Sequence, residues 1–190
     1  MAGKSSGKLN VATRGDKEII LTRQFDAPRH LVWEAMTKPE HVRYWWNCMD
    51  GYSMPVCEID LRVGGKWRYV LIGADGGEVG FHGEYLEIEV PAKIVNTEIF
   101  DPYPDSPATC TVTLVEKNGK TTFKNVVVHM TTEGRDMHIN SGMEIGADIA
   151  MDRIEEVAQK LNTSTAATGT GTPAGSPGSG TSSVRAPRET

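Results

Sequence analysis

Five histidines, three cysteines and a run of alternating charges are the residues of this 190-residue chain whose types could do chemistry. Helical metal sites place two histidines one turn apart, and His30, His41, His82, His129 and His138 offer no such spacing. His82 lies between Phe81 and Gly83 in a strand-like run, where a hydrogen-bonded structural imidazole is favoured over a catalyst. Glu58, Asp60 and Arg62 alternate on one face of another such run. Paired carboxylates do acid–base work, but a solvated strand face with a flanking arginine is the favoured account of the same pattern. No Gly-x-Ser-x-Gly elbow is present, and Ser141-Gly142 does not supply one. Gly3-Lys4-Ser5-Ser6-Gly7-Lys8 is one residue short of a phosphate loop, and Leu9 stands where a magnesium-binding Ser or Thr is required. Cys48, Cys57 and Cys110 are odd in number and unrelated in spacing, which fits neither a disulfide framework nor a zinc knuckle. Reduced thiols are expected. Cys57 alternates with Ile59 and reads as packing, whereas Cys48, in the polar Asn47-Cys48-Met49-Asp50 loop, is the thiol expected to react most readily. These residues predict no catalytic group, no metal and no cofactor.

The aromatic residues carry more. Trp67 and Tyr69 share one strand face, and Phe81 and Tyr85 share another with Gly83 between them. A C-terminal helix presents Gly142, Gly146, Ala147 and Ala150 on its apolar side. Small residues opposite aromatics leave volume, and ligand pockets are mostly apolar enclosures of about 300–1,000 Å³ with a few polar groups. The expected lining is Trp46, Trp67, Tyr69, Phe81, Tyr85, Met143 and Ala147, with Tyr69, Tyr85 and Arg68 as polar groups. A packed aromatic core is the competing reading of the same residues.

The elements that must position these side chains follow from periodicity. Residues 18–26 read as a strand. Pro28 starts a helix with Leu31, Val32, Ala35 and Met36 on one face. Thr37-Lys38-Pro39-Glu40 has the pattern of a capping box and opens a second short helix ending near Trp46. Strands are expected over residues 56–61, 65–72, 79–90, 93–100, 109–116 and 121–132. Ala74-Asp75-Gly76-Gly77 and Asn118-Gly119 are hairpin turns. A single helix is expected over residues 135–161. Its buried face runs from Ile139 through Met143, Ala147, Met151, Ile154, Val157 and Ala158 to Leu161, with Glu144, Asp148, Asp152, Glu155 and Gln159 opposite. One curved antiparallel sheet, two short helices and one long C-terminal helix make an α+β domain.

The two ends differ from this body. Residues 162–190 hold one Val as their only large apolar side chain and cannot bury enough surface to offset chain entropy. Residues 1–16 are similarly thin. The expected organisation is a disordered segment over 1–16, one domain over 17–161 and a disordered Gly/Ser/Thr/Pro-rich tail over 162–190. The body carries 15 basic and 23 acidic residues, a balance that repels phosphate backbones and argues against nucleic acid. With no apolar leader and no spanning run, the reading is a cytoplasmic protein with no membrane partner.

Four blocks of residues carry a family likeness. They are Phe25-Asp26-Ala27-Pro28 with Val32-Trp33, Pro39-Glu40-His41 and Trp45-Trp46; Cys57 through Tyr69, with Arg62-Val63-Gly64-Gly65-Lys66-Trp67 at its centre; Phe81-His82-Gly83-Glu84-Tyr85; and Ser141-Gly142-Met143-Glu144 with Asp152-Arg153. In this order the chain resembles the activator of Hsp 90 ATPase homologue-like family of the START/Bet v 1-like (SRPBCC) superfamily, over about residues 17–161. The resemblance implies a helix-grip fold whose sheet and long helix enclose a hydrophobic cavity. It implies no single function, because relatives include ligand binders, polyketide cyclases, lipid carriers, sequestering resistance proteins and one domain of a eukaryotic co-chaperone. The leading expectation is non-catalytic binding of a small hydrophobic or aromatic ligand. The alternatives are a single-domain chaperone-ATPase activator and a polyketide cyclase-like enzyme.

Two departures from the family pattern matter. Where relatives read Gly-Met-Glu-Glu-Gly-Trp, this chain reads Gly142-Met143-Glu144-Ile145-Gly146-Ala147. Ala147 replaces an indole on the buried face. Ile145, with Ile149 one turn on, places two β-branched residues on the charged side, where burying each contributes roughly 1.5–3 kcal/mol. A homodimer or a protein partner through Ile145 and Ile149 is therefore expected. Concentration-dependent sedimentation that Ile145→Glu with Ile149→Glu abolishes is the expected result, and monomers at every concentration for both proteins would exclude self-association.

Overall fold

The computed structural model describes residues 7–47 and 51–168. Among them are eight strands and four helices: β1 (Asn10–Arg14), β2 (Glu18–Phe25), α1 (Arg29–Thr37), α2 (Pro39–Trp46), β3 (Ser53–Ile59), β4 (Lys66–Ile72), β5 (Glu78–Glu89), β6 (Lys93–Phe100), β7 (Ala108–Lys117), β8 (Lys120–His129), α3 (Thr132–Asn140) and α4 (Met143–Thr168). The strands form one antiparallel sheet in the order β1-β2-β8-β7-β6-β5-β4-β3. After β2 the chain crosses through α1 and α2 to the far edge, then returns strand by strand to β8 beside β2. The α+β helix-grip expectation holds, with a curved sheet gripping a C-terminal helix. None of the described helices is long and apolar enough to cross a membrane.

Local chemistry explains most boundaries. Pro28 is the N-cap of α1, and Pro39 occupies the first turn of α2, where its missing N–H costs nothing. Thr37 does not act as a capping box: Lys38 is the N-cap of α2, and the Thr37 hydroxyl donates back to Trp33 O at 2.7 Å. Asn118 and Gly119 both take positive φ (53° and 73°), as a two-residue hairpin between β7 and β8 requires.

Four expected boundaries are corrected. Residues 10–14 are not part of a disordered segment; they pair with β2 from Asn10↔Thr22 to Arg14↔Glu18. Their polar side chains hid this, because main-chain pairing holds the edge strand while only Leu9 beside it is buried. The expected long helix is two. Gly142 at φ 80° breaks it, and the Ser141 hydroxyl donates to His138 O at 2.7 Å to close α3. α3 itself starts earlier than expected, at Thr132, because the Thr131 hydroxyl accepts from Gly134 N–H at 3.0 Å and ends β8 at His129. α4 also continues to Thr168 instead of ending at Leu161. Propagating an existing helix costs little, and the Thr163 and Ser164 hydroxyls both donate to Lys160 O. The rest of the expected tail, like residues 1–6, lies outside the described residues.

The core lies between the sheet and α4. Ile19 and Phe25 of β2, Leu114 of β7 and Phe123 of β8 meet Val32 of α1 and Ile154 and Ala158 of α4, all essentially inaccessible. Glu155, expected on the outer side of α4, is instead buried. It faces the fully buried Arg23 guanidinium at 3.0 Å and accepts the Asp26 N–H at 2.8 Å. Asp152 adds a second carboxylate to Arg23 at 2.6 Å. Ile145 and Ile149 stand on the solvent side, 71% and 38% exposed.

Candidate functional site

The inner face of the sheet is dry at one end and open at the other. Pairing registers set which side chains share it. Cys57↔Tyr69↔Phe81↔Phe100 form one row and Ile59↔Trp67↔Gly83 the next. On the other side of β6, Asn96↔Cys110↔Val127 and Glu98↔Ala108↔His129 continue the same face. Beneath the C-terminal half of α4 this face is closed by Phe25, Phe123 and Leu114. Beneath its N-terminal half, Phe81, Asn96, Glu98 and Phe100 are only partly buried, as are Met143 and Ala147 on the helix above. Interior-facing residues that keep accessible surface mark a space reached by water.

Aromatic rings cluster beside this region, with Trp67, Tyr69 and Tyr85 buried in the core and Trp46, Phe81 and Phe100 partly accessible. Trp46, at the end of α2, is tilted against Tyr69 at 4.8 Å between ring centroids and meets Phe81 at 5.6 Å and Trp67 at 6.2 Å. Trp67 and Tyr69 are 4.7 Å apart, and Phe81 stacks on Phe100 at 5.0 Å. Trp45 points the other way, into the core, with its indole N–H donating to Ala35 O at 2.9 Å. The placement of Trp46 depends on α4: Arg153 donates to Tyr44 O and Asn47 O at the end of α2, and Tyr44 Oη donates to Glu156 at 2.7 Å. Four of the seven expected lining residues, Trp46, Trp67, Tyr69 and Phe81, thus form one cluster. Tyr85 joins it through a hydroxyl pair with Tyr69. Burial raises both phenols, Tyr85 to about 12, so both stay neutral. Met143 and Ala147 of α4 are partly buried and pack against the core cluster.

Two expectations about this wall change. Gly83 adds no free volume: a Cβ there would meet Thr97 O at 1.8 Å and Trp67 Nε1 at 2.7 Å, so its role is to let the indole lie flat against β5. Arg68 is not a polar group of the cavity. It lies on the outer face, paired to Asp101 at 2.6 Å, and the same carboxylate holds His82 Nδ1 at 2.8 Å. The arginine holds the Asp101 carboxyl below its usual range. Two open depressions of about 430 and 410 Å³ lie on that outer face, lined mainly by Glu58, Asp60, Arg62, Lys66, Arg68 and His82. Asp60 there pairs with Arg62 at 2.9 Å.

The chemistry of the inner face centres on a residue that sequence reasoning passed over. Glu98 stands mid-strand in β6, with Ala108 on one side and, in the register of Phe81↔Phe100 and Tyr85↔Asn96, Gly83 on the other. Among the described residues its carboxyl has no hydrogen-bond or ion-pair partner. Burial alone lifts its carboxyl to about 7. Beyond Ala108, His129 Nε2 lies 3.1 Å from His138 Nδ1 of α3. Burial lowers both imidazoles, His138 to about 4, which leaves the pair uncharged at neutral pH. The signal for Glu98 was present in the sequence as one acidic residue in phase with Ile94 and Phe100. Burial pushes the thiols of Cys57 and Cys110 above their usual range, so neither is a nucleophile. Cys48 lies outside the described residues. Among the described residues no three His, Cys, Asp or Glu side chains are grouped to hold a metal ion.

The AHSA1 family, described as activator of Hsp90 ATPase homolog 1-like protein, matches residues 26–159. The chain belongs to this family. No curated protein matches it. Among solved structures it is similar to a Rhodobacter sphaeroides protein at 24% identity, over 81% of this chain and 99% of that one, with a TM-score of 0.75. A Nitrosomonas europaea protein follows at 23% identity, 80% and 99% coverage and a TM-score of 0.69. An AHSA1-like protein from Aeromonas hydrophila is 16% identical over 75% of this chain and 94% of that one, with a TM-score of 0.58. At these identities the neighbours establish the AHSA1-like fold alone.

Proposed function

We propose that this protein binds a small, largely apolar aromatic ligand between the inner face of the sheet and the N-terminal half of α4, without acting chemically on it. The observation that carries this reading is the change along one face, from the closed core at Phe25 and Phe123 to the partly accessible Phe81, Glu98 and Phe100. Aromatic walls of Trp46, Trp67, Tyr69 and Phe81 give a planar guest edge and face contacts worth about 0.5–1.5 kcal/mol per ring beyond simple burial. Neutral phenols and raised thiols supply polarity without an activated nucleophile.

Titration with N-phenyl-1-naphthylamine, a neutral fluorophore that brightens in apolar sites, tests the reading. Wild type is expected to bind it saturably with quenching of tryptophan emission. Ala147→Trp returns an indole to the cavity roof and is expected to weaken binding about tenfold while leaving the melting temperature nearly unchanged. If the space is already filled, the same substitution overpacks it and costs roughly 1–3 kcal/mol with no effect on the probe. That outcome sinks the cavity reading.

A further inference from the structure

Among the described residues the strands at the open end of the inner face place one ionisable carboxylate there and no cation; the guanidinium of Arg135 in α3, which acts on His129, is paired to Asp136. Arg23, the one basic side chain placed on the inner face by the strand registers traced above, lies at the closed end, against Asp152 and Glu155. Arg68 is on the outer face, against Asp101. The His129–His138 pair is held neutral by burial, and Tyr69, Tyr85 and Cys110 keep their protons. Among the described residues Glu98 is therefore the group there able to carry charge at neutral pH, and none of them pairs with it. Its neighbours on either side are Gly83, over which the Trp67 indole lies, and Ala108, so neither adjacent strand places a charged or hydrogen-bonding side chain beside the carboxylate. The aromatic rings of Phe81 and Phe100 lie one step along the same face.

A buried, unpaired carboxylate is costly in an apolar site. The same desolvation makes it a strong partner for a cation, because a charge-assisted hydrogen bond formed away from water is worth about twice a neutral one. A carboxylate-bearing ligand would meet like charge with nothing to offset it.

We propose that the cavity selects a cationic aromatic ligand: a planar apolar body against the accessible edges of Trp46, Phe81 and Phe100, and a protonated amine on the Glu98 carboxylate. This deepens the binding reading above and rests on it. The net charge of −5 adds long-range attraction for such a ligand.

Three probes of one shape separate the two claims by calorimetry on the full chain at pH 7.5: 2-naphthylmethylamine (a cation), 2-naphthylmethanol (neutral) and 2-naphthoate (an anion). The amine is expected to bind roughly tenfold or more tightly than the alcohol, and the naphthoate most weakly. Glu98→Gln is expected to erase the preference for the amine while the alcohol binds at least as well as before. Glu98→Asp, which keeps the charge, is expected to retain part of it. Equal affinities in wild type, or an amine preference that survives Glu98→Gln, overturns the assignment to Glu98 while the cavity reading stands. Failure of all three probes to bind, or alcohol binding unaffected by Ala147→Trp, overturns the cavity reading and this inference with it.

Discussion

Replacing Arg23 with Ala is expected to lower the unfolding free energy by about 3–5 kcal/mol, because it leaves the buried Glu155 without its cation. Arg23 is fully enclosed between β2 and α4 and sits 5.5 Å from the Phe25 ring centroid, so truncation also removes packing from the best-buried part of the core. The loss comes mainly from the abandoned carboxylate and not from the net strength of the pair. A second protein separates the two. Arg23→Met with Glu155→Leu removes both charges while keeping volume, and is expected to recover most of the stability. Urea unfolding of the three proteins decides it. A loss under 1 kcal/mol for Arg23→Ala would show that the guanidinium is not needed to offset Glu155.

Glu98→Gln is expected to act in the opposite direction, and only at high pH. The folded carboxyl titrates at about 7 against an ordinary 4.5. A raised acid leaves folding unpenalised below the unfolded value and subtracts stability as pH rises through the folded one. The full shift corresponds to about 3 kcal/mol, and water in the cavity reduces it toward 2. At pH 8 the variant should exceed wild type by that amount, and near pH 4.5 the gap should close. His138 works against this slope: its folded value of about 4 lies below the ordinary 6.5, so its contribution is lost as pH falls between them. His129, also lowered, adds to the same rise, so from about pH 5 to 6.5 wild type is expected to rise less steeply with pH than Glu98→Gln. Equal differences at pH 5 and pH 8 would show that Glu98 is not held away from bulk water. A side chain that costs stability where it stands is a marker of function.

The fold was legible because its signals are local and repeated. Asn118-Gly119, Pro28, Pro39 and the alternating runs of β4 and β5 each specify an element without knowledge of the others. Edge strand β1 was not, since a polar strand is held by main-chain bonds that leave no hydrophobic period. Gly142 looked like a small residue on a helix face, and only its positive φ reveals a terminus. Glu155 falls at 100° steps on the charged side of α4, yet the sheet curves far enough around the helix to bring Arg23 to it. The aromatic cluster was half readable. Strand alternation put Trp67 and Tyr69 together, but nothing in the spacing told Trp46 from Trp45, because that choice is made by how Arg153 and Tyr44 seat α2 on α4. Glu98 was passed over for a related reason: a lone acid in phase with buried residues of a strand still reads as solvated until the neighbouring strands and helix close over it.

The polar ties of α4 to the rest of the described protein fall between Asp148 and Lys160: Arg23 reaches Asp148, Asp152 and Glu155, Arg153 and Glu156 hold α2, and Lys160 lies over Tyr44. Among the described residues, 143–147, just after Gly142, carry none of these ties. On the binding reading proposed above, guest exchange is expected to need only a local opening of that stretch, with a free-energy cost far below that of global unfolding. Residence time and melting temperature become separate properties of one helix, so changes at Arg23 move the second and leave the first alone.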